Sequence, residues 1–230
     1  MIPITKKEIL ELPKSIPYII VPYREQIEQK RGEQLQQFTK HMKRWHPTWP
    51  ILIVEQQDQE KFNRGALLNI GTKYAEKLGA EYVIYHDVDL IPLSPLIPYY
   101  EAFPQKPLHI GTAYKGKYGG PGFIGQVLSM SLKDIKRSNG YPSFWGWGGE
   151  DDALRNRLKK KGIEIWQPEI SSGFKILEHL DTRKIPGAKN MTKWEDVAGD
   201  TGKDGYSNIK WKLLDEQKDK NIFLYKVEIK

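Results

Sequence analysis

The chain has no cysteine among its 230 residues. That excludes disulfides, thiolate nucleophiles and thiolate metal sites. It has no apolar run close to the roughly 20 residues that a membrane-spanning helix needs. Its first ten residues, MIPITKKEIL, lack the apolar stretch of a secretory signal. Internal repeats and low-complexity linkers are also missing. What remains is 39% hydrophobic content with 7 Trp and 12 Tyr, enough for one sizeable core, so a single domain over 1–230 is expected. The net charge of +7 admits nucleic acid, anionic membranes or phosphorylated small molecules as partners. The densest basic run, Lys159-Lys160-Lys161, reads as a solvated helix end. The helix it closes opens with Glu150, Asp151 and Asp152, the polarity that a helix dipole favours.

The elements alternate. Ile16–Val21 reads as a buried strand, and Glu25–Trp45 as a polar helix with Ile27, Leu35, Phe38 and Met42 on its inner face. Ile51–Gln56 is a second strand. Asn63–Leu78 carries Ala66, Leu67, Ile70, Tyr74 and Leu78 at helical spacing. A third strand begins at EYVIYHDVDLIP and stops at Pro92. Phe123–Ser131 is expected to be another strand, Leu132–Ser138 a short helix, Ile163–Gln167 and Gly173–Leu177 strands, Thr182–Tyr206 a loop, and Asn221–Ile229 the last strand. This order argues for an α/β sheet, at least partly parallel.

One stretch breaks local rules densely. In FWGWGGEDD, Phe144–Asp152, bulky indoles sit on glycine backbone beside three adjacent carboxylates. Gly146, Gly148 and Gly149 let such a segment swing as a lid. Trp145 and Trp147 offer flat apolar faces to a sugar ring and indole N–H donors to its hydroxyls. A carboxylate at this place is suited to removing a proton from a hydroxyl nucleophile; the plainer reading is compensation of a helix dipole. Asp87-Val88-Asp89 falls where the third strand ends. In extended chain both aspartates face one way, which suits a hard cation and its ligand; the plainer reading is a capped turn. His179, in FKILEHLD, is a further candidate ligand.

Together these segments resemble the β-1,4-galactosyltransferase family, metal-dependent enzymes with a GT-A fold. VPYRE (Val21–Glu25), FNRGALLNIG (Phe62–Gly71), HDVDLIPL (His86–Leu93), FWGWGGEDD, GFKILEHLD (Gly173–Asp181) and DGYSNIKWKL (Asp204–Leu213) occur in the family's order and cover most of Ile16–Ile229. The wording of HDVDLIPL and GFKILEHLD is nearest to the branch that adds galactose to xylose.

The resemblance implies an inverting transferase that moves a hexose, galactose in β linkage, from a UDP-sugar to a glycan hydroxyl, with Mn²⁺ as cofactor. Pro22, Tyr23, Arg24, Phe62, Arg64, Asp87 and Val88 would bind the donor nucleotide and sugar, with Trp147 riding on the mobile loop. Asp151 would be the general base. Glu150 and Asp152 would position donor and acceptor hydroxyls, beside Phe123, Gly148 and Gly149. Asp89 and His179 would hold the metal; in the family a methionine or a second histidine completes the set, and Asp181 either takes that histidine's place, extending tolerance to Mg²⁺, or merely caps the turn that follows. Phe123 replaces the family's donor-gate tyrosine, Gly125-Gln126 replaces Gly-Gly, and Ile176 stands at a methionine ligand position. Other readings are GalNAc or another hexose as the transferred sugar, an inactive nucleotide-sugar-binding module, and a metal-dependent nucleic-acid enzyme. The transferase reading expects no nucleic-acid partner and no membrane segment in this chain. It expects a cytoplasmic or otherwise soluble location, or a Golgi-lumenal fragment lacking its anchor.

Overall fold

The computed structural model describes residues 1–114, 122–146, 148–178, 180 and 194–230. A six-stranded sheet is built from β2 (Tyr18–Tyr23), β3 (Ile51–Gln56), β4 (Tyr82–His86), β6 (Val127–Ser131), β9 (Trp211–Asp219) and β10 (Ile222–Ile229), in the order β6-β4-β2-β3-β10-β9. The four inner strands run parallel, while β6 and β9 close the two edges antiparallel. Two small sheets lie outside it. In one, β1 (Ile2–Ile4) pairs with β7 (Trp166–Pro168); in the other, β5 (Leu90–Pro92) pairs with β8 (Phe174–Ile176).

The pleat sorts the inner strands into two cores. Ile19, Val21, Ile51, Ile53, Tyr82 and Ile84 face one side, and Ile20, Leu52, Val54, Val83 and Tyr85 the other. The first side is covered by α2 (Arg31–Trp45) through Phe38 and Met42, together with the short helices α1 (Lys6–Glu11) and α4 (Ile97–Glu101). The second is covered by α3 (Arg64–Lys77) through Ala66, Leu67 and Ile70, and by α5 (Leu132–Ser138) and α6 (Glu150–Lys160) through Ile135, Leu154 and Leu158. A further short helix, α7 (Trp194–Ala198), packs near α6. Strands buried on both faces read as continuous apolar runs, as ILIV and YVIY do.

Several expectations needed correction. Residues 82–92 form two strands rather than one, because a turn at Asp87–Asp89 separates β4 from β5. The helix expected from Glu25 begins at Arg31, after a 3₁₀ turn at Ile27–Gln29 that ends on Lys30 at φ 55°. Ile27 is thereby thrown into solvent at 83% exposure instead of joining the inner face. Leu78 caps α3 and is exposed. Phe123–Gln126 is loop, and β6 starts at Val127. The strand expected at Ile163–Gln167 is the three-residue Trp166–Pro168. The loop expected over Thr182–Tyr206 contains α7. The longest strand, β9, was not anticipated: it is mostly exposed on both faces, so it shows no hydrophobic alternation and is held by its pairing with β10.

Candidate active site

In an open α/β sheet, ligands bind beyond the carboxyl ends of the parallel strands. Here Arg24 follows β2, the segment Gln57–Phe62 follows β3, and Asp87 follows β4. Arg24 fastens the second of these, donating to the carbonyls of Glu60 (2.7 Å) and Asp58 (3.0 Å). Phe62 then leads into the cap of α3. Asn63 accepts from Ala66 N at 3.0 Å and, through its Nδ2, donates to Ser143 Oγ at 3.0 Å. The Phe62 carbonyl accepts from Gly146 N at 3.0 Å. The FNR motif is thus tied by its backbone and its cap to the glycine-rich loop that precedes α6.

That join brings Arg64, the first residue of α3, against the first turn of α6. Its Nη1 lies 3.1 Å from Asp151 Oδ1 and 3.3 Å from Glu150 Oε1, and its Nη2 lies 2.9 Å from Asp87 Oδ1. One guanidinium therefore faces three carboxylates in a site with little water. Burial alone would lower the Arg64 pKa, but Asp87, Asp151 and Glu150 carry it well above its ordinary value. Burial, and then the Asp151 charge, push Glu150 up to about 7 against the pull of Arg64. Burial also raises Asp151, with Arg64 opposing. The two acids are adjacent and share Arg64, so they titrate as a pair.

The loop before β6 completes this side. A Cβ on Gly125 would lie 2.3 Å from Asp151 Oδ2 and 2.4 Å from Phe123 Cζ, so any other residue here would force the carboxylate, the ring or the loop to shift. Gln126 takes φ 68°, a left-handed conformation at a position where the resembled family has glycine, and its carbonyl accepts from Asp87 N at 3.0 Å. His109 is buried beneath the loop and donates from Nε2 to the Gly125 carbonyl at 2.9 Å. Gly146, Gly148 and Gly149 all have positive φ, at 124°, 90° and 87°, which explains the glycine pattern ahead of α6. Asp152 pairs with Arg155 at 3.1 Å, whose Nη1 reaches the Gly122 carbonyl.

Not all candidates meet at the cluster. Pro22 and Tyr23 are buried in β2, with the Tyr23 hydroxyl donating to Glu25 at 2.7 Å. The Val88 side chain is buried in the core. Asp89 pairs with Arg31 at 3.2 Å, whereas Asp87 pairs with Arg64. His86 is wholly buried: its Nδ1 donates to the Asp87 carbonyl (2.8 Å) and its Nε2 accepts from the Tyr100 hydroxyl (2.8 Å), so it stays neutral, with burial holding its pKa near 4. It anchors the turn carrying both aspartates. Trp147, His179 and Asp181 lie outside the described residues.

For a divalent cation, Asp89 supplies a hard carboxylate oxygen. Leu177 N donates to the Asp89 carbonyl at 2.8 Å, and Gln34 Nε2 to the Glu178 carbonyl at 2.8 Å, so the chain immediately before position 179 is fixed beside Asp89. Among the described residues no group of three or more His, Asp or Glu side chains is placed to hold a metal; Asp89 and the chain beside it fit one member of such a set. Ile176 is exposed on β8 opposite Leu90 and has no donor atom. Sequence reasoning missed Asn63, His109 and Tyr141 as parts of this region. Asn63 carried a legible signal, an Asn directly before an amphipathic run.

The fold is that of the GT-A glycosyltransferases. The catalytic domain of Drosophila β-1,4-galactosyltransferase 7, in complex with xylobiose, superposes with a TM-score of 0.75 at 27% identity, covering 94% of this chain and 95% of that one. A mutant of the same protein, in complex with manganese, UDP-Gal and xylobiose, gives 0.76 at 27% identity, covering 93% and 94%. A family model for the N-terminal region of glycosyl transferase group 7 matches residues 12–100, and one for the N-terminal domain of galactosyltransferase matches residues 106–180. Xylosylprotein 4-β-galactosyltransferase of Caenorhabditis elegans is 39% identical over 193 residues, 77% of this chain. β-1,4-Galactosyltransferase 7 of Drosophila melanogaster is 33% identical over 212 residues, 85% of this chain. The chain belongs to the β-1,4-galactosyltransferase family. The matched stretch spans 64% and 62% of those two relatives' own lengths.

Proposed function

We propose that the chain is a single GT-A catalytic domain that transfers galactose, with inversion, from UDP-galactose to a hydroxyl of a xyloside acceptor. The observation that carries this reading is the Arg64 cluster, in which Asp87, Glu150 and Asp151 converge from two elements at the carboxyl edge of the sheet. The xylosyl-directed names and the xylobiose bound to a relative support the acceptor class.

Asp151 is the general base. It takes the proton of the acceptor hydroxyl as that oxygen bonds to the anomeric carbon, and the bond to the UDP oxygen breaks with its electron pair leaving on the diphosphate. A single displacement inverts the centre. Arg64 holds the base and Asp87 in register, and Asp87 and Arg24 line the donor side. Glu150 and Asp152 orient hydroxyls, with Phe123 and the backbone of Gly148 and Gly149 beside them. Asp89, with His179 and Asp181, would hold Mn²⁺, which when bound would supply positive charge for the departing diphosphate. The Trp147 loop shields the sugars from water.

Incubation with UDP-galactose, Mn²⁺ and a β-xyloside, followed by linkage analysis of the product, tests this directly. Formation of a β-galactosyl xyloside is expected. Absence of transfer, together with an unchanged melting temperature on adding UDP-galactose and Mn²⁺, would sink it. UDP-GalNAc belongs in the same assay, because Phe123 lacks the hydroxyl of the tyrosine that stands at this position in the family.

A further inference from the structure

Tyr141 is wholly buried beside the cluster. Its backbone is clamped on both sides by the amide of Asn69, which donates to the Tyr141 carbonyl at 2.8 Å and accepts from its N–H at 3.1 Å. Its ring packs edge-on against Tyr85 at 5.1 Å, and the Arg64 guanidinium carbon stands 5.8 Å from its centroid. The ring therefore cannot turn away. Among the described residues its hydroxyl has no partner at full hydrogen-bonding geometry. An orphaned buried hydroxyl is costly, and phenylalanine would fill the same space without that cost. The Arg64 that stands beside the Tyr141 ring also holds the Asp151 carboxyl at 3.1 Å, and the hydroxyl biases that carboxyl toward its charged form. The charged groups facing Asp151 are Arg64 from α3, Asp87 from the turn after β4, and Glu150 from its own helix.

We propose that the Tyr141 hydroxyl is a positioning group for Asp151, donating to its carboxylate from the protein side during the reaction. The proposal rests on the reading of Asp151 as base. Arg64 is shared among three carboxylates, so it alone leaves the orientation of each underdetermined. A second donor on a fixed ring sets the rotation of the Asp151 carboxylate. Arg64 occupies Oδ1, and Oδ2, which lies against Gly125, is left to take the acceptor's proton. The hydroxyl also keeps the base ionised against the push of burial.

The test is Tyr141→Phe, assayed as kcat against pH with UDP-galactose, Mn²⁺ and a β-xyloside, alongside Asp151→Asn. Loss of the donor should move the acid limb of the profile up by about one pH unit, since a hydrogen bond to a charged group has roughly that worth. The KM for UDP-galactose should stay within twofold and the melting temperature should not fall. A carboxyl NMR titration of Asp151 in the same variant reads the shift without turnover. An acid limb and a titration that stay in place, or move down, overturn the proposal. If Asp151→Asn is inactive while Tyr141→Phe leaves the profile unmoved, only the role of Tyr141 fails. If Asp151→Asn retains transfer, the base assignment fails with it.

Discussion

Arg64 Nη1 stands 3.1 Å from Asp151 Oδ1 across 87 residues of sequence. The contact is made by the first residue of one helix and the second residue of another, each delivered by its own cap. Arg64 also neutralises Asp87 and Glu150, so its removal leaves three carboxylates in a desolvated site. Arg64→Ala is expected to lose about 3–5 kcal/mol of stability, the range for breaking a buried ion pair, and to abolish transfer. Arg64→Lys keeps the charge but not the planar fork, so it should fold better than the alanine variant and remain at least tenfold less active than wild type. Urea denaturation of both, with the transfer assay, checks this; an alanine variant as stable as wild type would show that the cluster is not held by Arg64.

Asp151→Asn should lower kcat by about 10²–10⁴-fold, the usual contribution of a well-placed base. Nucleotide affinity should survive, because the side chain keeps its size. Stability should hold or rise, since burial disfavours the Asp151 charge. Calorimetric titration with UDP and Mn²⁺ separates binding from chemistry. Transfer within threefold of wild type removes Asp151 from the role.

Gly125→Ala places a methyl group 2.3 Å from Asp151 Oδ2 and 2.4 Å from the Phe123 ring, closer than carbon atoms tolerate. Either the loop or the carboxylate must shift, and a misplaced base costs activity steeply. A tenfold or larger loss of kcat with a smaller change in nucleotide affinity is expected. Wild-type kinetics in this variant would mean that the loop relaxes freely away from α6.

Much of this was legible before any coordinates. The buried strands at Ile51–Gln56 and around Tyr82 announced themselves because both faces are covered and their residues are apolar throughout. The carboxylates opening α6 and the glycines before them stood out as a candidate site because they violate local preference. Asp87-Val88-Asp89 was read as extended chain, but it lies in a turn where the Leu90 N–H folds back toward the Asp87 carbonyl. Strand β9 hid because its partner is backbone. Tyr141 and His109 were invisible as candidate site residues: Tyr141 stands in a turn-like Asn-Gly-Tyr-Pro-Ser stretch and His109 between Leu108 and Ile110, and only the fold brings them beside Arg64 and Gly125.

His109 gives a pH prediction. It is neutral in the fold, with burial holding its pKa near 4 against an ordinary 6.5. The unfolded chain therefore takes up a proton as pH falls below 6.5 and the native state does not until about 4, so stability is present above 6.5 and is lost through that window. Glu150 acts in the opposite direction, and a difference measurement cancels it. Gln at 109 can keep a donor for the Gly125 carbonyl but does not titrate. The stability of wild type minus that of His109→Gln should fall by roughly 1.4 kcal/mol per pH unit as pH drops below 6.5. A pH-independent difference would show that His109 is solvated or already charged in the native state.

The metal set is the remaining assignment, with Asp89 among the described residues and His179 and Asp181 outside them. Asp89 and the Leu177–Glu178 backbone are held together by the Leu177 N–H bond to the Asp89 carbonyl, so a ligand two residues after Leu177 is well placed in sequence to share an ion with Asp89. Arg31 lies 3.2 Å from Asp89 and offers that carboxylate a competing positive charge. A carboxylate in the place of the family's second histidine is a harder donor and should extend use from Mn²⁺ to Mg²⁺. Activity titrated with each metal at saturating UDP-galactose should require at least tenfold more Mn²⁺ in Asp89→Ala, His179→Ala and Asp181→Ala than in wild type, and Mg²⁺ should support measurable turnover in wild type. If Asp181→Ala titrates like wild type and Mg²⁺ is inert, Asp181 is outside the coordination sphere. Wild-type metal dependence in His179→Ala and Asp89→Ala as well would overturn the whole ligand set. Arg31→Ala, by freeing Asp89 from its competitor, should need less Mn²⁺ rather than more; a need for more would make Arg31 a support of the site.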